Sequence, residues 1–405
     1  MGRIQALAML AMLCTLTATS SAEPVQIHCP SEPPVVRRLQ LQERWRIDSE
    51  DPDAPMLGFF GPHQIVVHAE RVFLLDYQLC KIHVYSDDGE YLTSFLREGE
   101  GPGEVQANPG ALILRADGTL AVQHGYPAKL EFLSLDGTPL GRWRLQANAY
   151  MSQTWETPGG WFGVYVEGHE GKDPDALTLE LHVAIHDSTG TRMAEFHREE
   201  EPLDLQRTKF DEAKDYPPWY TAVAISAREI AFAPLRDAYR VEWRNLHGET
   251  TRIVTRECTA HRRTRKELEF ASFIAGNFSD QKLCDHDPVI EKLEPLPDGS
   301  LRVRTSRFEK DMPPGMVCRY EVHAPTGELR ERVEIYDPSG DYNVEYDMIA
   351  LLSDGRAMVL RNARPTQDAW RKARISPKLR EKLPPPPDER EDIAFTPIYC
   401  DLVPR

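Results

Sequence analysis

The chain has 405 residues, of which 41% are hydrophobic and 9% are aromatic. This apolar content is sufficient for a folded core and excludes a chain that is disordered throughout. The formal net charge of -16 opposes binding to nucleic acids and to anionic lipid surfaces, because both carry negative charge.

The first 22 residues have the features of a secretory signal peptide. Arg3 is followed by an apolar stretch over residues 4–16, and Ser20-Ser21-Ala22 provides small residues for cleavage. The apolar stretch is shorter than a membrane-spanning helix requires. We therefore expect cleavage near Ala22 and export to the periplasm or the medium. The mature chain, residues 23–405, is expected to form one domain without a transmembrane segment.

Export also bears on the cysteines. Cys14 lies in the leader, and the mature chain contains Cys29, Cys80, Cys258, Cys284, Cys318 and Cys400. An even number of cysteines in an exported chain predicts disulfide bonds. The alternative, a zinc site, has no CxxC motif or tight Cys/His cluster to support it. Cys258 and Cys284 bracket a long loop, and we predict a disulfide between them.

Short runs of β-forming residues alternate with turn signals, and five of these runs share one pattern. Each has a basic residue or histidine, an apolar residue, any residue, an apolar residue, four further residues and a glycine. The runs begin at Lys81, Lys129, His182, Arg240 and Arg319, and their glycines are Gly89, Gly137, Gly190, Gly248 and Gly327. The alternating apolar pair gives a strand one buried face, and the glycine permits a tight hairpin turn.

A second series of turns precedes these runs. It comprises residues 116–118, 297–299 and 353–355, with diverged copies at 158–160 and 227–229. The repeating unit is therefore a four-stranded antiparallel meander of roughly 40 to 50 residues. Residues 63–336 contain five units, and a sixth begins at residue 346. This repeat predicts an all-β, six-bladed β-propeller with four-stranded antiparallel blades.

The sixth unit lacks its fourth strand. Its third strand is predicted at residues 398–402, at the end of the sequence. Residues 39–47 have the right character to supply the missing strand. We expect this N-terminal strand to close the ring and to protect the sheet edges.

Two motifs resemble those of a known family. Residues 99–104 (GEGPGE) lie between the first two units, and Leu74-Leu75-Asp76 precedes Lys81-Ile82. Both are similar to motifs of bacterial six-bladed β-propeller proteins related to NHL repeats, and the resemblance covers roughly residues 60–145. In the second unit His124 stands in place of the aspartate. The resemblance implies the propeller fold, and such proteins range from interaction scaffolds to lyases and lactonases.

The long insertions all follow second strands or join successive units. They span residues 168–176, 198–218, 258–287, 308–316 and 362–397. In a meander these connections lie at the end opposite the short glycine turns, so we expect short helical insertions on one face of the molecule. Helices are predicted at residues 262–277 and 367–382. This asymmetry favours a binding face, and neutral drift in tolerant loops is the alternative.

Polar residues near the expected ring axis are candidate ligands. His63, Asn108, Gln153, Tyr220, Asp287 and Tyr346 come at the starts of first strands, and Asp76 and His124 precede the second-to-third loops. Aspartates suit Ca²⁺, and histidines suit zinc or general-base chemistry. Alternatively, these groups cap loops or line a water-filled channel. His83 and His182, on predicted strands, are expected at the surface.

Two functions from different classes follow. The first is an exported, monomeric recognition module that binds a protein, a peptide or a glycan at the insertion-bearing face without a cofactor. The second is a metal-dependent hydrolase or lyase of the lactonase or amidating-lyase type, which would use calcium or zinc. No residue is assigned a catalytic role in either.

Overall fold

The computed structural model describes residues 23–48, 55–170, 177–203, 209–214, 222–226, 228–265, 267–268, 271, 280–305, 313–344, 346–374 and 394–405. These residues lie mainly in β-strands joined by short turns. The predicted signal peptide and Tyr220 lie outside the described residues. None of the helices in the described part of the chain is both long and apolar enough to span a membrane.

Two N-terminal strands precede the repeated units. They are β1 (Val25–Cys29) and β2 (Val36–Arg46). Unit 1 consists of β3 (Ile65–His68), β4 (Arg71–Asp76), β5 (Lys81–Ser86) and β6 (Tyr91–Phe95). A small parallel pair follows, β7 (Arg97–Glu98) with β8 (Glu104–Val105). Unit 2 consists of β9 (Ala111–Leu114), β10 (Leu120–His124), β11 (Lys129–Leu133) and β12 (Pro139–Arg144).

The remaining units continue the same order of strands. Unit 3 consists of β13 (Ala149–Thr157), β14 (Gly160–Glu170), β15 (Leu177–His186) and β16 (Arg192–Leu203). After β17 (Lys209–Asp211), unit 4 consists of β18 (Val223–Ser226), β19 (Glu229–Phe232), β20 (Tyr239–Asn245) and β21 (Thr250–Arg256). After β22 (Asp280–Lys282), which pairs with β17, unit 5 consists of β23 (Ile290–Pro295), β24 (Leu301–Thr305), β25 (Met316–His323) and β26 (Leu329–Tyr336). Unit 6 contains β27 (Met348–Leu351), β28 (Ala357–Arg361), helix α1 (Ala363–Arg374) and β29 (Thr396–Pro404).

The strands within each unit pair in sequence order and antiparallel. We call the end of a unit that carries the first-to-second and third-to-fourth turns its turn end, and the opposite end its loop end. All five runs that were predicted from the glycine pattern form third strands. The long connections leave and return at the loop ends.

Strand β2 is hydrogen-bonded to two units. It pairs antiparallel with β29, from Leu39 opposite Pro404 to Arg46 opposite Ile398. Its first residues pair parallel with β26, from Val36 opposite Arg332. Unit 6 therefore receives a fourth strand from the N-terminal segment, and units 5 and 6 become one eight-stranded sheet. Strand β1 adds to unit 4 in the same way, parallel to β21.

Adjacent residues of the second strands face different neighbours, because side chains alternate along a strand. Leu74 packs in a cluster with unit 6, whereas Leu75 packs in a cluster with unit 2. Six such hydrophobic clusters occur in the described residues, one between each successive pair of units and one between units 6 and 1. Representative pairs, in that order, are Leu75 with Val122, Trp143 with Trp161, Phe162 with Phe232, Trp243 with Leu301, Val333 with Val359, and Tyr399 with Leu74.

The repeated glycines are required both by their turns and by the preceding unit. Gly89 and Gly137 have φ values of +89° and +86°, which L side chains rarely adopt. A Cβ atom on Gly89 would lie 2.5 Å from Trp45 Cγ, and one on Gly137 would lie 2.4 Å from Phe95 Cγ. Gly89 and Gly137 therefore let the third-to-fourth turns of units 1 and 2 pack directly on an aromatic ring, Trp45 of β2 and Phe95 of unit 1 respectively.

The disulfide prediction is not met, because none of the six cysteines in residues 23–405 forms a disulfide. Cys29, Cys80, Cys318 and Cys400 are buried within the apolar clusters, where a thiol packs as a small hydrophobic group. Cys258 and Cys284 are half-buried and form no disulfide with each other. The expected Cys258–Cys284 bond is therefore replaced by polar contacts within the insertion, described below.

Two further predictions need correction. Helix α1 begins at Ala363, four residues before the predicted start, and residues 375–382 of that prediction lie outside the described part. His83 and His182 are buried, at 2% exposure each, because both faces of a third strand contact a neighbouring unit. In the other predicted helix, Thr264 and Glu267 form a reciprocal capping box, and residues 265, 267, 268 and 271 are helical.

Candidate functional site

Asp76 holds the chain that enters unit 1. Its carboxylate accepts hydrogen bonds from the backbone N–H groups of Gly58 (2.6 Å), Gln78 (2.9 Å) and Leu79 (3.0 Å). The side chain is completely buried. Its oxygens are therefore used to fix two loops together, and the structure offers no access for a calcium ion to this predicted ligand.

His124 has the same role in unit 2. Its Nδ1 accepts a hydrogen bond from the backbone N–H of Gln106 at 3.1 Å, on the segment that enters this unit. Burial lowers the pKa of His124 to about 4, with Arg142 and Lys129 acting in the same direction. The ring is therefore neutral at pH 7, and the change from aspartate to histidine preserves a hydrogen-bond acceptor.

Asp287 belongs to the network that fastens the insertion between units 4 and 5. Its Oδ1 accepts a hydrogen bond from Arg263 Nε at 2.7 Å. Arg263 and Arg236 also bind Glu212, with Nη2–Oε1 distances of 2.9 and 2.8 Å. Opposite charges in such a buried arrangement satisfy one another. Asp287 therefore positions the insertion through its bond to Arg263.

Among the other predicted residues, His63, Asn108 and Tyr346 lie just before first strands, whereas Gln153 lies in the middle of β13 at a register irregularity. Asn108 and Gln153 have positive φ values, +61° and +48°, which are uncommon for residues other than glycine. Tyr346 accepts a hydrogen bond from the backbone N–H of Arg364 at 2.9 Å through its carbonyl oxygen.

His63 lies beside charged residues of unit 5. It is part of a 3-10 turn, Pro62–Gln64, that precedes β3, and its side chain is exposed. Burial by surrounding protein nevertheless lowers the pKa of His63 to about 4, and the Lys292 ammonium acts in the same direction. The His63 imidazole is therefore exposed to water and also close enough to Lys292 and Glu294 of unit 5 for their charges to act on its pKa.

The neighbouring charges form what we call the unit-5 charge cluster, Glu291, Lys292, Glu294, Arg302 and Arg304. Glu294 contacts Lys292 Nζ at 2.7 Å and Arg302 Nη1 at 3.1 Å. Glu291 accepts two hydrogen bonds from Arg304, at 3.1 and 3.2 Å. Strands β23 and β24 bring these groups together because Lys292 lies opposite Arg304, and Glu294 lies opposite Arg302.

The electrostatics of the cluster resemble those of His63. The Glu291 side chain is 45% exposed, yet burial is the largest influence on its pKa and acts to raise it. Arg304 more than offsets this effect, so the pKa of Glu291 is lowered. Burial also acts to raise the pKa of Glu294, but Lys292 and Arg302 lower it to about 2. Glu291 and Glu294 are therefore ionised at pH 7, each paired with cationic side chains of the cluster.

Sequence reasoning did not identify this cluster. Its signal was present in the segment 290–294 (IEKLE) and in 301–305 (LRVRT), where charged residues alternate with apolar ones on two adjacent strands. The same alternation occurs in many solvated strands. This cluster differs from those strands because its Lys292 and Glu294 act on the pKa of His63, in the turn that precedes β3 of unit 1.

A cleft lies between units 4 and 5 and has a volume of about 320 Å³. Its wall includes Arg256, Arg319 and Arg332 together with Glu32, Glu257 and Glu321, so the formal charges balance. Arg256 binds Glu321 and also donates to the carbonyl oxygen of Pro30 at 3.1 Å. Through these bonds, the polar residues of the cleft hold β1 and β21 against unit 5.

The GEGPGE motif is also accounted for by structure. Glu104 accepts a hydrogen bond from the N–H of Gly101 at 2.7 Å and pairs with Arg97. Arg142 donates to the carbonyl oxygens of Glu100 and Gly101. The loop is thus held by its own glutamate and by unit 2. Within the described residues, no group of three or more His, Cys, Asp or Glu side chains is arranged to hold a metal ion.

Comparisons with known proteins leave the family open. No family model matches the sequence, and no curated protein matches it. Among solved structures, the chain is similar to a protein of Bacteroides fragilis that is proposed to be exported. The two share 12% sequence identity, the alignment covers 93% of this chain and 99% of that chain, and the TM-score is 0.46.

Two further solved structures illustrate the range of proteins with this likeness. One is a catalytically inactive virginiamycin B lyase from Staphylococcus aureus with quinupristin, with 12% identity, 80% and 97% of the two chains covered, and a TM-score of 0.38. The other is the Neurospora crassa Pan2 WD40 domain, with 9% identity, 89% and 95% covered, and a TM-score of 0.40. Likenesses at this level identify neither a ligand nor an activity.

Proposed function

We propose that the six units are the blades of a six-bladed β-propeller, and that the chain is an exported recognition module. The apolar clusters between successive units, including the one between units 6 and 1, support a closed ring. The first strands also contact one another in order, β3 with β9, β9 with β13, β13 with β18, and β18 with β23. In this arrangement β2 closes the ring, and residues 1–22 are the export signal.

We infer a water-accessible space between His63, which is exposed, and the unit-5 charge cluster, because Lys292 and Glu294 act on the pKa of His63, and this placement carries the binding proposal. Both lie near the loop ends of their units, at the first strands that would surround the propeller axis. A rigid scaffold with polar groups converging on a concave space is the usual setting of a ligand site. The insertions that border the loop ends would frame its entrance.

The charge of this space favours an anionic group on the ligand. Lys292, Arg302 and Arg304 outnumber Glu291 and Glu294, and His63 is neutral at pH 7 because its pKa is about 4. The rest of the chain is strongly acidic, at -16 overall. A positive space within an acidic protein attracts a carboxylate or a phosphate and repels cations. We therefore infer that the recognised group is an acidic group of a peptide, a protein or a glycan.

Calorimetric titration of the mature chain with free and carboxy-amidated peptides, uronic-acid oligosaccharides and inorganic phosphate tests this proposal. We expect at least one acidic probe to bind, and binding to weaken as salt is added. The Lys292→Gln variant should weaken binding by about fivefold to tenfold, because one partly screened charge contributes about 1 kcal/mol.

Arg330→Gln provides a matched control, because it removes one positive charge from the turn end of the same unit. Arg330 is half-exposed and pairs with Asp298 at 3.3 Å. It should leave binding unchanged. Failure of every acidic probe to bind, or an equal effect of the two variants, would exclude the site.

His63 also favours a second candidate function, a hydrolase or lyase of the propeller type. A neutral, accessible imidazole can act as a general base or as a metal ligand. Elemental analysis of the purified protein before and after dialysis against a chelator separates the two functions. Stoichiometric calcium or zinc that His63→Gln removes would favour the enzyme, whereas a metal-free protein that binds acidic probes would favour the recognition module.

A further inference from the structure

Two tyrosine rings lie together on the surface where the loop ends of units 2 and 3 meet. Tyr126 is in the second-to-third loop of unit 2, and Tyr150 is the second residue of β13. Their side chains are 45% and 59% exposed. The ring centroids are 4.6 Å apart, and the ring planes are inclined by 37°. Aromatic rings carry large apolar surfaces, and leaving two of them exposed side by side is unfavourable unless a partner covers them.

The pair is held in place by its own loop. The backbone N–H of Tyr126 donates to Gln106 Oε1 at 3.2 Å, and its hydroxyl donates to the carbonyl oxygen of Asn148 at 2.9 Å. The N–H of Ala128 donates to the carbonyl oxygen of Ala149 at 3.0 Å, which fastens the loop to the start of β13. The rings are therefore positioned before any ligand arrives, which reduces the entropic cost of binding.

The preceding residue supports the same reading. Gly125 has φ = +76°, and a Cβ atom there would lie 2.4 Å from Gln106 Oε1, the acceptor of the Tyr126 N–H bond. A larger residue at position 125 would displace the amide that orients the platform. Glycine is thus needed here to present Tyr126, as well as to form the turn.

The direct hydrogen-bond partners of Tyr126 are neutral, and Gln106 Nε2 also donates to the Glu100 carboxylate, which pairs with Lys129 at 3.2 Å. The bonded polar partners of Tyr126 are an amide oxygen and a backbone carbonyl oxygen, and Asn148 adds an exposed amide beside the pair. Amide groups both donate and accept hydrogen bonds, as sugar hydroxyl groups do. This setting contrasts with the unit-5 charge cluster, where five ionised groups converge.

The size of the patch distinguishes a sugar from a protein partner. A stable protein interface buries about 800 Å² on each side. The other exposed large hydrophobic residues of the described parts of units 2 and 3 are Leu140 and Met193, which begin fourth strands at the turn ends. Two tyrosine rings alone offer an area suited to one or two pyranose rings, whose C–H faces can stack on them while amides bind the hydroxyl groups.

We propose that Tyr126 and Tyr150 form a binding platform for a neutral oligosaccharide. This platform is separate from the acidic-ligand site and does not depend on it. Its ligand presents an apolar ring face to the tyrosines and hydroxyl groups to the neighbouring amides.

The test is calorimetric titration of the mature chain with cellohexaose, maltohexaose, laminarihexaose and chitohexaose, and with a proline-rich decapeptide as the competing class of ligand. We expect at least one oligosaccharide to bind with a Kd below about 1 mM. Tyr150→Ala should weaken this binding by about tenfold or more, whereas Tyr150→Phe should stay within about twofold of the parent, because stacking needs the ring and not the hydroxyl.

Tyr91→Ala is the matched control, since Tyr91 is a tyrosine of unit 1 with 38% exposure. It should leave saccharide affinity unchanged. Circular dichroism and the unfolding midpoint of each variant establish that the fold is retained. The proposal is overturned if no oligosaccharide binds at about 10 mM, if Tyr150→Ala binds like the parent, or if the decapeptide binds in preference to every sugar. Lys292→Gln should retain saccharide binding, so failure at the acidic-ligand site is distinguishable.

Discussion

Replacing Trp45 by alanine tests whether β2 is part of the core or an accessory strand. Trp45 is 9% exposed and lies between units 6 and 1. Its ring centroid is 4.9 Å from that of Tyr399 and 5.7 Å from that of Tyr85. Its Nε1–H donates to the carbonyl oxygen of Asp87 at 2.9 Å. One N-terminal side chain therefore contacts both units across the point where the proposed ring closes.

The expected cost can be built from these contacts. Truncation of a buried aromatic residue to alanine costs about 3–5 kcal/mol, including the cavity that remains. Loss of the indole hydrogen bond contributes about 1 kcal/mol. A total of about 4–6 kcal/mol is a large part of the 5–15 kcal/mol that typically stabilises a domain. Trp45→Phe keeps most of the ring and should cost only about 1–2 kcal/mol.

Urea unfolding followed by circular dichroism measures these differences. Val36→Ala is the control, because Val36 lies on the same strand and is 40% exposed; it should change stability by less than about 0.5 kcal/mol. Deletion of residues 35–47 should abolish cooperative unfolding. A Trp45→Ala cost below about 1 kcal/mol would refute the reasoning, as would cooperative unfolding of the deletion variant at the parent midpoint.

Three other predictions follow from local geometry. Gly137→Ala should lower the free energy of unfolding in urea by about 2–4 kcal/mol, because the backbone strain at φ = +86° is joined by overlap with Phe95. Gly355→Ala is the control, because Gly355 has φ = +87° but no atom within 4 Å, and it should cost only about 1 kcal/mol. Equal costs for the two variants would contradict this reasoning. His124→Asn should flatten the acid dependence of stability. Because the pKa of His124 is about 4 when folded and 6.5 ordinarily, the unfolded chain binds the proton more tightly, and stability falls as pH drops from 6.5 to 4 by up to about 3 kcal/mol; an unchanged profile would count against it. Dithiothreitol should leave the thermal midpoint unchanged, since none of the six cysteines in residues 23–405 forms a disulfide, and a drop in the midpoint would reveal one.

The strands could be predicted because their signals are local. An alternating apolar pair followed by a glycine specifies a strand and its turn without reference to the rest of the chain. Every third strand from Lys81 to Arg319 was found in this way. The packing of Gly89 on Trp45 shows a second reason for the glycine, but that reason depends on a residue 44 positions away and is invisible in the repeat itself.

The candidate site was harder to predict because its chemistry depends on non-local partners. Asp76 and His124 were correctly expected near second-to-third loops, but the sequence does not reveal that backbone N–H groups 18 residues earlier occupy them. Asp287 is similarly occupied by Arg263, on the far side of an insertion. Polar residues at loop ends are good predictors of position, whereas their availability to a ligand is decided by the fold.

The cysteines show how compartment and packing can point in different directions. An even number in an exported chain predicted disulfides, yet four of the thiols are in three different apolar clusters. Each buried thiol therefore packs in the core of its own pair of units, and this packing determines where the cysteines lie. The parallel pairing of β1 with β21 and of β2 with β26 was also unpredicted, because edge additions leave no repeat in the sequence.

Strand alternation also separates stability from binding in unit 5. Leu293, between Lys292 and Glu294, is buried in the cluster shared with unit 4, and so is Val303, between Arg302 and Arg304. One face of β23 and β24 therefore holds two units together, while the opposite face carries the charges. Because neighbouring residues face opposite sides, evolution could change the charged face without disturbing the apolar one. The same reasoning makes Lys292→Gln a test of recognition and not of folding, since no apolar contact between units depends on that side chain.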